Sequence, residues 1–418
     1  MKIGHFNHSD KFGGAARYAT RVVESQLALK MNSQLYVNVK KSSESFVNVI
    51  GATGKRNLDT FINRIPQTLD KVLSSFEREE IRNFKSPNIF GATNSKIISS
   101  LGLDLIHLHW INGGFLSIKQ IGKINLPIVW SILDMWPLSG AEHYTTESEE
   151  KRVIEEYSKS SRKPGCKGLD ISRLSWNLKK KHFKNYTAVF TGPWMLHKNA
   201  RGSLFDYFKS TIIPPPIDTK IFRSLEQSEI RRKNGLPLTN KIIGYFGGTS
   251  PRKGWTLIEQ IINSDFLSSN SIIMVLVGND FKIQYHENPN LRIFRSTEND
   301  HELIQLYNLL DLIVVPSKQE AFGLVAQEAQ SCGIPALVPA NCGLQDVVSN
   351  DRTGLVVNEY LANVYMREIL EILCSESKLQ KFRSGAREKA LKEWDSAIVA
   401  SRYMNLYRES ISNNGRFI

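Results

Sequence analysis

Two spacings of apolar residues alternate along the second half of the chain. Short apolar runs of strand length are separated by segments whose apolar residues recur at helical spacing. Strands are predicted at 241–246, 271–277, 291–294, 312–315 and 335–338, and helices at 256–262, 301–309 and 323–331. Because strands that are separated by helices pair in parallel, this half of the chain predicts a doubly wound α/β sheet.

The first half repeats this pattern less regularly. A strand at 1–6, a turn at Gly13 and Gly14, and a helix after it form the opening of a βα unit. Further strands are predicted at 33–39, 105–110, 127–133 and 188–191, whereas 42–95 indicates only mixed helix and loop.

A proline cluster within 212–220 separates the two halves. Three consecutive prolines, at 214–216, cannot continue a helix or an inner strand. We therefore predict an N-terminal domain at 1–211, a C-terminal domain at 212–393 and a final helical segment at 394–418. Two such sheets would bind ligands at the carboxyl ends of their strands, across a cleft between the domains.

Length and composition agree with two globular domains. The chain has 418 residues, of which 41% are hydrophobic and 23% charged, and one hydrophobic core rarely serves so long a chain. The polar start argues against a secretory signal, and no apolar run is long enough to span a membrane. The four cysteines lack metal-ligand spacing, so we expect reduced, structural thiols in a cytoplasmic protein.

The net charge of +13 predicts an anionic partner without identifying it. Nucleic acid, anionic lipid headgroups and phosphorylated small molecules would all be attracted. The basic residues are spread along the chain except at 179–181, where three lysines follow one another. We interpret this run as a solvated helix face or a weak contact for anionic lipid.

Two glutamates stand at the start of the predicted helix 323–331. Glu320 falls in the loop after a strand, and Glu328 falls about two turns into the helix. The free N–H groups of Phe322, Gly323 and Leu324 at the helix start favour a diphosphate. The alternative is that Glu320 caps the helix and Glu328 is solvated.

A basic pair follows the strand 241–246. Arg252 offers a planar fork of donors and Lys253 a compact charge, and together they suit two adjoining phosphates. A solvated basic loop is the alternative. Likewise, Gly13 and Gly14 would let a ligand approach the backbone closely, or would simply form a turn.

Two histidines share one face of the predicted strand 105–110. Of His107 and His109, the second lies nearer the carboxyl end of the strand, where ligands of this fold class bind. The alternative is a pair of buried core histidines.

The stretch 307–357 resembles the donor-binding half of the family 4 retaining glycosyltransferases, whose fold is named GT-B. The shared, spaced pattern D-x-x-x-x-P-S-x-x-E-x-x-G-x-x-x-x-E-A-x-x-x-G-x-P is matched by Asp311, Pro316, Ser317, Glu320, Gly323, Glu328, Ala329, Gly333 and Pro335. The resemblance implies two Rossmann-like domains facing across a cleft, with the segment 394–418 returning to the first domain.

The resemblance also implies a role for each donor-side residue. Glu328 would hold the ribose of the nucleotide, Glu320 would face the transferred sugar, and the backbone of 322–324 would contact sugar or phosphate. Arg252 and Lys253 would bind the diphosphate and stabilise it as the leaving group. Gly248 stands where the family usually has arginine, and we expect Arg252 to supply the missing guanidinium.

On the N-terminal side, the resemblance implies that Gly13 and Gly14 close over the donor phosphate and that His109 approaches the reacting sugar. Asp134 and Trp136 would shape the acceptor side, although Leu133 stands where many relatives have histidine. The segments 42–95 and 145–172, where the resemblance is weak, are expected to define the acceptor.

The function predicted from these observations is retaining transfer of a sugar from a nucleoside diphosphate sugar to a glycan or lipid-linked glycan, in surface polysaccharide biosynthesis. We expect no metal, no cofactor and no nucleic-acid partner, and a protein that is either free in the cytoplasm or peripheral at the inner face of the cell membrane. A sugar-nucleotide epimerase or phosphorylase of the same architecture is the alternative, and a basic nucleic-acid-binding protein a more distant one. A nicotinamide oxidoreductase would need G-x-G-x-x-G after a strand, which the sequence lacks.

Overall fold

The computed structural model describes residues 1–11, 13–50, 56–78, 84–282, 285 and 287–414, and of 56–63, 413 and 414 it describes the backbone only. The chain divides into two compact units. Unit 1 comprises Met1–Pro215 with Val399–Ile418, and unit 2 comprises Pro216–Ile398. Parts of two predicted segments, namely 51–55 and 79–83 of 42–95 and 415–418 of 394–418, lie outside the described residues.

The strands are β1 (Lys2–Ser9), β2 (Asn32–Val39), β3 (Val47–Val49), β4 (Glu77–Arg78), β5 (Leu105–Leu108), β6 (Ile128–Ile132), β7 (Lys167–Gly168), β8 (Tyr186–Phe190), β9 (Phe208–Ile212), β10 (Lys241–Phe246), β11 (Ile272–Val277), β12 (Leu291–Phe294), β13 (Leu312–Val314), β14 (Ala336–Pro339) and β15 (Gly354–Val357).

The α-helices are α1 (Gly14–Ala28), α2 (Arg56–Ser75), α3 (Ser95–Ser99), α4 (Ile118–Ile121), α5 (Glu147–Ile154), α6 (Ile171–His182), α7 (Pro193–Asn199), α8 (Gln227–Lys233), α9 (Trp255–Ile262), α10 (Phe266–Ser269), α11 (Asp300–Asn308), α12 (Leu324–Ser331), α13 (Leu344–Val347), α14 (Ala362–Leu373), α15 (Glu376–Lys389) and α16 (Ser396–Asn414). Short 3-10 helices cover Trp136–Leu138, Ser203–Tyr207 and Pro251–Lys253, and a π-helical turn covers Ala390–Trp394.

Unit 1 is built on a seven-stranded sheet in the order β3-β2-β1-β5-β6-β8-β9, in which every pair is parallel. The inner strands β5 and β6 are buried at every position, which matches their largely apolar sequences. Helix α16 completes the core, because Val399, Tyr403 and Tyr407 pack with Tyr18 and Val22 of α1.

Unit 2 is built on a six-stranded parallel sheet in the order β12-β11-β10-β13-β14-β15. Its core contains the buried faces of β10 and β11 together with apolar residues of α9, α14 and α15. The prediction of two doubly wound parallel sheets is therefore confirmed. In both sheets the first strand lies between the second and the fourth, which is the Rossmann order.

Three strands of these two sheets were absent from the sequence-based prediction, because their own sequences carry little strand signal. β3 has three residues, β9 is mostly exposed at the sheet edge, and β15 begins at a glycine, so none of them has a long apolar run. Sheet pairing stabilises these strands, and a single-sequence pattern does not report it. Among the described residues, no helix combines the length and apolar character that crossing a membrane requires.

The interpretation of the lysine run 179–181 as a solvated face is wrong for Lys179. This side chain is fully buried, and its ammonium donates to the carbonyl oxygens of Trp136, Ser139 and Gly140. Burial lowers the pKa of Lys179 well below its ordinary value. Lys179 therefore fixes the turn that follows β6, whereas Lys180 and Glu156 form a half-exposed ion pair.

Asp311 ties three elements of unit 2 together. Its buried carboxylate accepts hydrogen bonds of 2.8 Å from the guanidinium groups of Arg231 in α8 and Arg383 in α15, and from the backbone N–H of Ile242 in β10. Asp311, the first residue of the spaced pattern, therefore stabilises the fold of unit 2.

We expect Asp311→Asn to lower the free energy of unfolding by about 3 kcal/mol, because two arginines lose the charge that compensates them. Chemical denaturation measures this change. The control is Asp351→Asn, which breaks an exposed pair with Lys381 and should cost less than about 1 kcal/mol. Equal effects of the two substitutions would show that Asp311 does not hold the three elements together.

Candidate active site

The order of the unit 2 sheet identifies its ligand-binding edge. β10 lies between β11 and β13. From β10 the chain continues to β11 and β12 on one side, and from β13 it continues to β14 and β15 on the other, so the direction of the connections reverses between β10 and β13. In open α/β sheets, ligands bind outside the carboxyl ends of the strands at such a switch point. The loops concerned are 247–254 after β10 and 315–323 after β13.

The structure brings the predicted basic pair and Glu320 together at this edge. The Lys253 ammonium forms an ion pair with the Glu320 carboxylate, and the two side chains are 32% and 15% exposed. The Arg252 guanidinium donates to the Gln319 carbonyl at 2.8 Å, and the Lys318 N–H donates to the Arg252 carbonyl at 2.8 Å. The two loops therefore form one surface that carries both charges.

Gly254 allows this close approach of the loops. Its φ of +82° lies in the left-handed region, and an added Cβ would stand 2.0 Å from the Pro316 carbonyl oxygen. The Tyr360 hydroxyl donates to that same oxygen at 2.5 Å. A side chain at position 254 would separate Lys253 from Glu320.

Helix α12 begins at the same edge. Its cap residue is Gly323, with a φ of +108°, and its first residue is Leu324. The N–H groups of the first turn have no partner inside the helix and carry the positive end of the helix dipole. Phe322, the other predicted residue of this turn, is buried and packs edge-on against Trp394. The turn therefore offers backbone donors rather than side chains.

Glu328 lies inside unit 2 and not on a solvated helix face. It is 1% exposed, and the Tyr307 hydroxyl donates to its carboxylate at 2.6 Å. Tyr307 in turn stacks on Phe246 at the end of β10, with ring centroids 4.7 Å apart. The alternative of a solvated Glu328 is thus wrong. No sequence pattern pointed to Tyr307 as its partner, because the two residues lie in different helices.

Gly248, which stands where the family usually has arginine, lies beside the carboxylate of Asp280. A Cβ added at Gly248 would stand 3.1 Å from both carboxylate oxygens of Asp280. Asp280 accepts hydrogen bonds from the N–H and the hydroxyl of Thr249, at 3.0 and 2.8 Å, and these bonds lower its pKa. An anion therefore lies beside the position where the family usually has arginine. That Arg252 supplies the guanidinium in its place stays a prediction.

Unit 1 has its own switch point between β1 and β5, which are neighbours. Gly13 follows β1 with a φ of +88°, and an added Cβ there would meet no described atom within 4 Å. Gly14 begins α1. His109 follows the carboxyl end of β5 and is 2% exposed. Gly13 and Gly14 thus follow one strand of this switch point and His109 the other, and their roles toward a ligand stay predictions.

His109 belongs to a cluster that the sequence did not reveal in full. His5 of β1 is in register with His107 of β5, and His5 Nδ1 lies 3.0 Å from His109 Nε2. Nitrogen atoms of the three rings lie within 4.8 Å of one another. Burial lowers the pKa of His5 to about 4 and those of His107 and His109 well below their ordinary value. All three imidazoles are therefore neutral at pH 7.

Asp134 and Trp136 lie after β6 and are both buried. The Asp134 carboxylate contacts Nδ1 of His143 at 2.5 Å and accepts from the Trp110 indole N–H at 3.0 Å. Trp136 donates its own indole N–H to the Ser86 carbonyl at 2.7 Å. Their acceptor-side role stays a prediction. His143 was missed because its pairing with Asp134 depends on the turn between them.

Comparison with known proteins agrees with this arrangement. Residues 226–389 match the family model described as "Glycosyl transferases group 1". The chain is 26% identical over 218 residues to a D-inositol 3-phosphate glycosyltransferase of Acidothermus cellulolyticus, a match that covers 48% of each chain. It therefore spans about half the length of that curated relative.

Solved structures match over the whole chain. Sucrose-phosphate synthase from Thermosynechococcus elongatus superposes with a TM-score of 0.66 at 18% identity, covering 99% of each chain. HepE from Anabaena, solved in complex with UDP-glucose, superposes with a TM-score of 0.62 at 16% identity, covering 99% of this chain and 100% of that one.

These likenesses and the two Rossmann-ordered sheets define a protein of the GT-B fold. The match to the group 1 glycosyltransferase family lies at 226–389, within unit 2.

Proposed function

We propose that this chain transfers a sugar from a nucleoside diphosphate sugar to a hydroxyl of a glycan or lipid-linked glycan, with retention at the anomeric carbon and without a metal ion. The observation that carries the proposal is the ion pair of Lys253 and Glu320, which joins the loops after β10 and β13 directly before α12. A cation beside a helix N-terminus suits the diphosphate of such a donor.

Lys253 and the first-turn N–H groups of α12 would oppose the negative charge that develops on the diphosphate as the anomeric bond breaks. Glu320 holds the ammonium of Lys253 in this position. The buried pair of Glu328 and Tyr307 supplies polar atoms for the ribose of the nucleotide. We assign no carboxylate nucleophile, and the departing phosphate takes the proton of the attacking hydroxyl.

The donor and the cellular role are extensions of this proposal. UDP-glucose, the ligand in the HepE complex, is the first donor to test. We propose surface polysaccharide biosynthesis as the role and the cytoplasm as the site of action, with the basic protein held at the anionic inner face of the membrane.

The first experiment is a thermal-shift panel of nucleoside diphosphate sugars, because a ligand that binds the folded state raises the melting temperature. A donor found in this way is then incubated with candidate glycan acceptors, in the presence and absence of a chelator. Nuclear magnetic resonance of the product gives its anomeric configuration. Inversion of configuration, or loss of activity with the chelator, would contradict the corresponding part of the proposal.

Glu328→Ala should weaken binding of the free nucleoside diphosphate by about tenfold or more, because it removes charge-assisted hydrogen bonds from a buried site. Isothermal titration calorimetry measures this affinity. The control is Glu302→Ala, which removes an exposed carboxylate of α11 and should leave the affinity unchanged. If the two variants bind alike, the nucleotide does not occupy the Glu328 site.

A further inference from the structure

The neutral histidine cluster of unit 1 is part of a longer chain of hydrogen bonds that reaches the C-terminal helix. Gln26 of α1 joins His5 to Tyr407 of α16, and Tyr407 joins Gln26 to His107. The proton positions along this chain follow from its distances. They fix which nitrogen of His109 carries a proton.

The amide of Gln26 sets the direction of the chain. Its Oε1 lies 2.6 Å from the Ser33 hydroxyl, a length that suits O–H···O better than N–H···O. Its Nε2 lies 2.9 Å from the Tyr407 hydroxyl, which is the usual N–H···O length. The oxygen of Gln26 therefore faces Ser33 and His5, and the amide nitrogen faces Tyr407.

One branch runs from Tyr407 to His107. Because the Tyr407 oxygen accepts from Gln26, its own proton goes to His107 Nδ1, 2.6 Å away. Neutral His107 then carries its proton on Nε2 and donates it to the Ser131 hydroxyl at 2.8 Å. Every nitrogen of His107 is thereby used.

The other branch runs from Gln26 through His5 to His109. His5 Nε2 donates to Gln26 Oε1 at 2.9 Å, so neutral His5 has a lone pair on Nδ1. That lone pair accepts from His109 Nε2 at 3.0 Å. The proton of neutral His109 is thus on Nε2, and its Nδ1 is bare. Among the described residues, this buried Nδ1 has no hydrogen-bond partner.

A buried acceptor without a partner is costly, and such atoms in native proteins call for a ligand or an ordered water. His109 follows β5 at the switch point of the unit 1 sheet, where ligands of this fold bind. We propose that His5 is a positioning residue that holds His109 as its Nε2–H tautomer, so that Nδ1 accepts a hydrogen bond from a hydroxyl of the bound substrate.

Gln26 orients His5, and Tyr407 orients Gln26, so both are also positioning residues. Helix α16 thus affects the state of His109 through Tyr407. This inference rests on the proposed function only for the identity of the hydroxyl, which belongs to a sugar. The tautomer of His109 is a property of the protein alone and can be measured without any substrate.

The test of the tautomer is a nitrogen-15 spectrum of histidine-labelled protein, with the His109 signals assigned through His109→Gln. We expect one protonated nitrogen at Nε2 and one bare nitrogen at Nδ1, whose signal shifts when the donor or acceptor sugar binds. A bare Nε2 with a proton on Nδ1 would overturn the inference, since it requires the opposite orientation of Gln26. A metal that purifies with the protein and is lost in His5→Gln would also overturn it.

The second test compares two conservative variants of α16. Tyr407→Phe removes one of the two hydroxyls that orient Gln26 and leaves only that of Ser33. We therefore expect mixed tautomers at His109 and turnover lower by about tenfold, with unchanged nucleotide affinity. The control is Tyr403→Phe, since the Tyr403 hydroxyl contacts Tyr18 and Ser131 but not Gln26, and it should keep one tautomer and nearly full turnover. His5→Gln, whose amide oxygen can accept from His109, should retain more turnover than His5→Phe.

These outcomes separate the inference from the proposed function. The expected spectrum without any sugar transfer would keep the tautomer and refute the function. Normal turnover with a single, unchanged tautomer in Tyr407→Phe would refute the positioning role and keep the function.

Discussion

Replacing Lys253 with methionine should lower the turnover of sugar transfer by about 100-fold to 1000-fold, the range seen when one donor to a developing charge is removed. The physical reason is the position of Lys253 at the carboxyl edge of the unit 2 sheet, where Glu320 holds its ammonium. Because the charge on the diphosphate grows as the anomeric bond breaks, the loss should fall mainly on kcat. Steady-state kinetics with the donor found in the thermal-shift panel measure this split.

The stranded carboxylate needs a separate measurement. In Lys253→Met, Glu320 loses its partner and would repel the diphosphate, which adds to the loss of turnover. The double variant Lys253→Met/Glu320→Gln removes that repulsion and should recover part of the nucleotide affinity but little of the turnover. The control is Lys233→Met, which breaks an exposed ion pair with Glu229. Lys233→Met should leave kcat unchanged. If Lys253→Met kept a kcat within about twofold of that of the unaltered protein, Lys253 would have no part in the mechanism.

The candidate site of unit 2 was largely predictable because its residues are close in sequence to two strand ends. Lys253 follows β10 and Glu320 follows β13, and parallel strands that neighbour each other bring these ends together. The alternation of strands and helices supplied the sheet, and the spaced pattern at 311–335 supplied the residues. What the sequence did not supply was the pairing of Lys253 with Glu320, which depends on the close packing at Gly254.

The histidine cluster of unit 1 was less predictable because its contacts join distant parts of the chain. His5 and His109 are 104 residues apart, and His107 and Tyr407 are 300 residues apart. Strand alternation places His107 and His109 on one face, but only the register of β1 with β5 brings His5 to them. Similarly, the basic run at 179–181 does not indicate that Lys179 is buried and donates to three backbone carbonyl groups.

Acidification from pH 7 to pH 4 should destabilise unit 1 through its buried histidines. The pKa of His5 falls from 6.5 to about 4 in the folded chain. Between pH 6.5 and pH 4, the unfolded state therefore binds a proton at His5 and the folded state does not. Stability therefore rises with pH across this window and is lost as the pH falls. For His5 alone the loss by pH 4 is about 3 kcal/mol. His107 and His109 act in the same direction.

Hydrogen exchange followed by mass spectrometry reports the opening free energy of β5 separately from that of unit 2, and we expect it to fall steadily from pH 7 to pH 4.5. Asp70 opposes this trend, because burial raises its pKa to about 6 and the folded chain gains stability as that carboxyl is protonated. One carboxyl cannot offset three histidines. His5→Gln should therefore flatten the acid slope in β5, whereas His301→Gln, which removes an exposed histidine of unit 2, should leave it as steep as before. If β5 opened with the same free energy at pH 7 and pH 4.5, the three imidazoles would not be the neutral, buried groups on which the His109 tautomer depends.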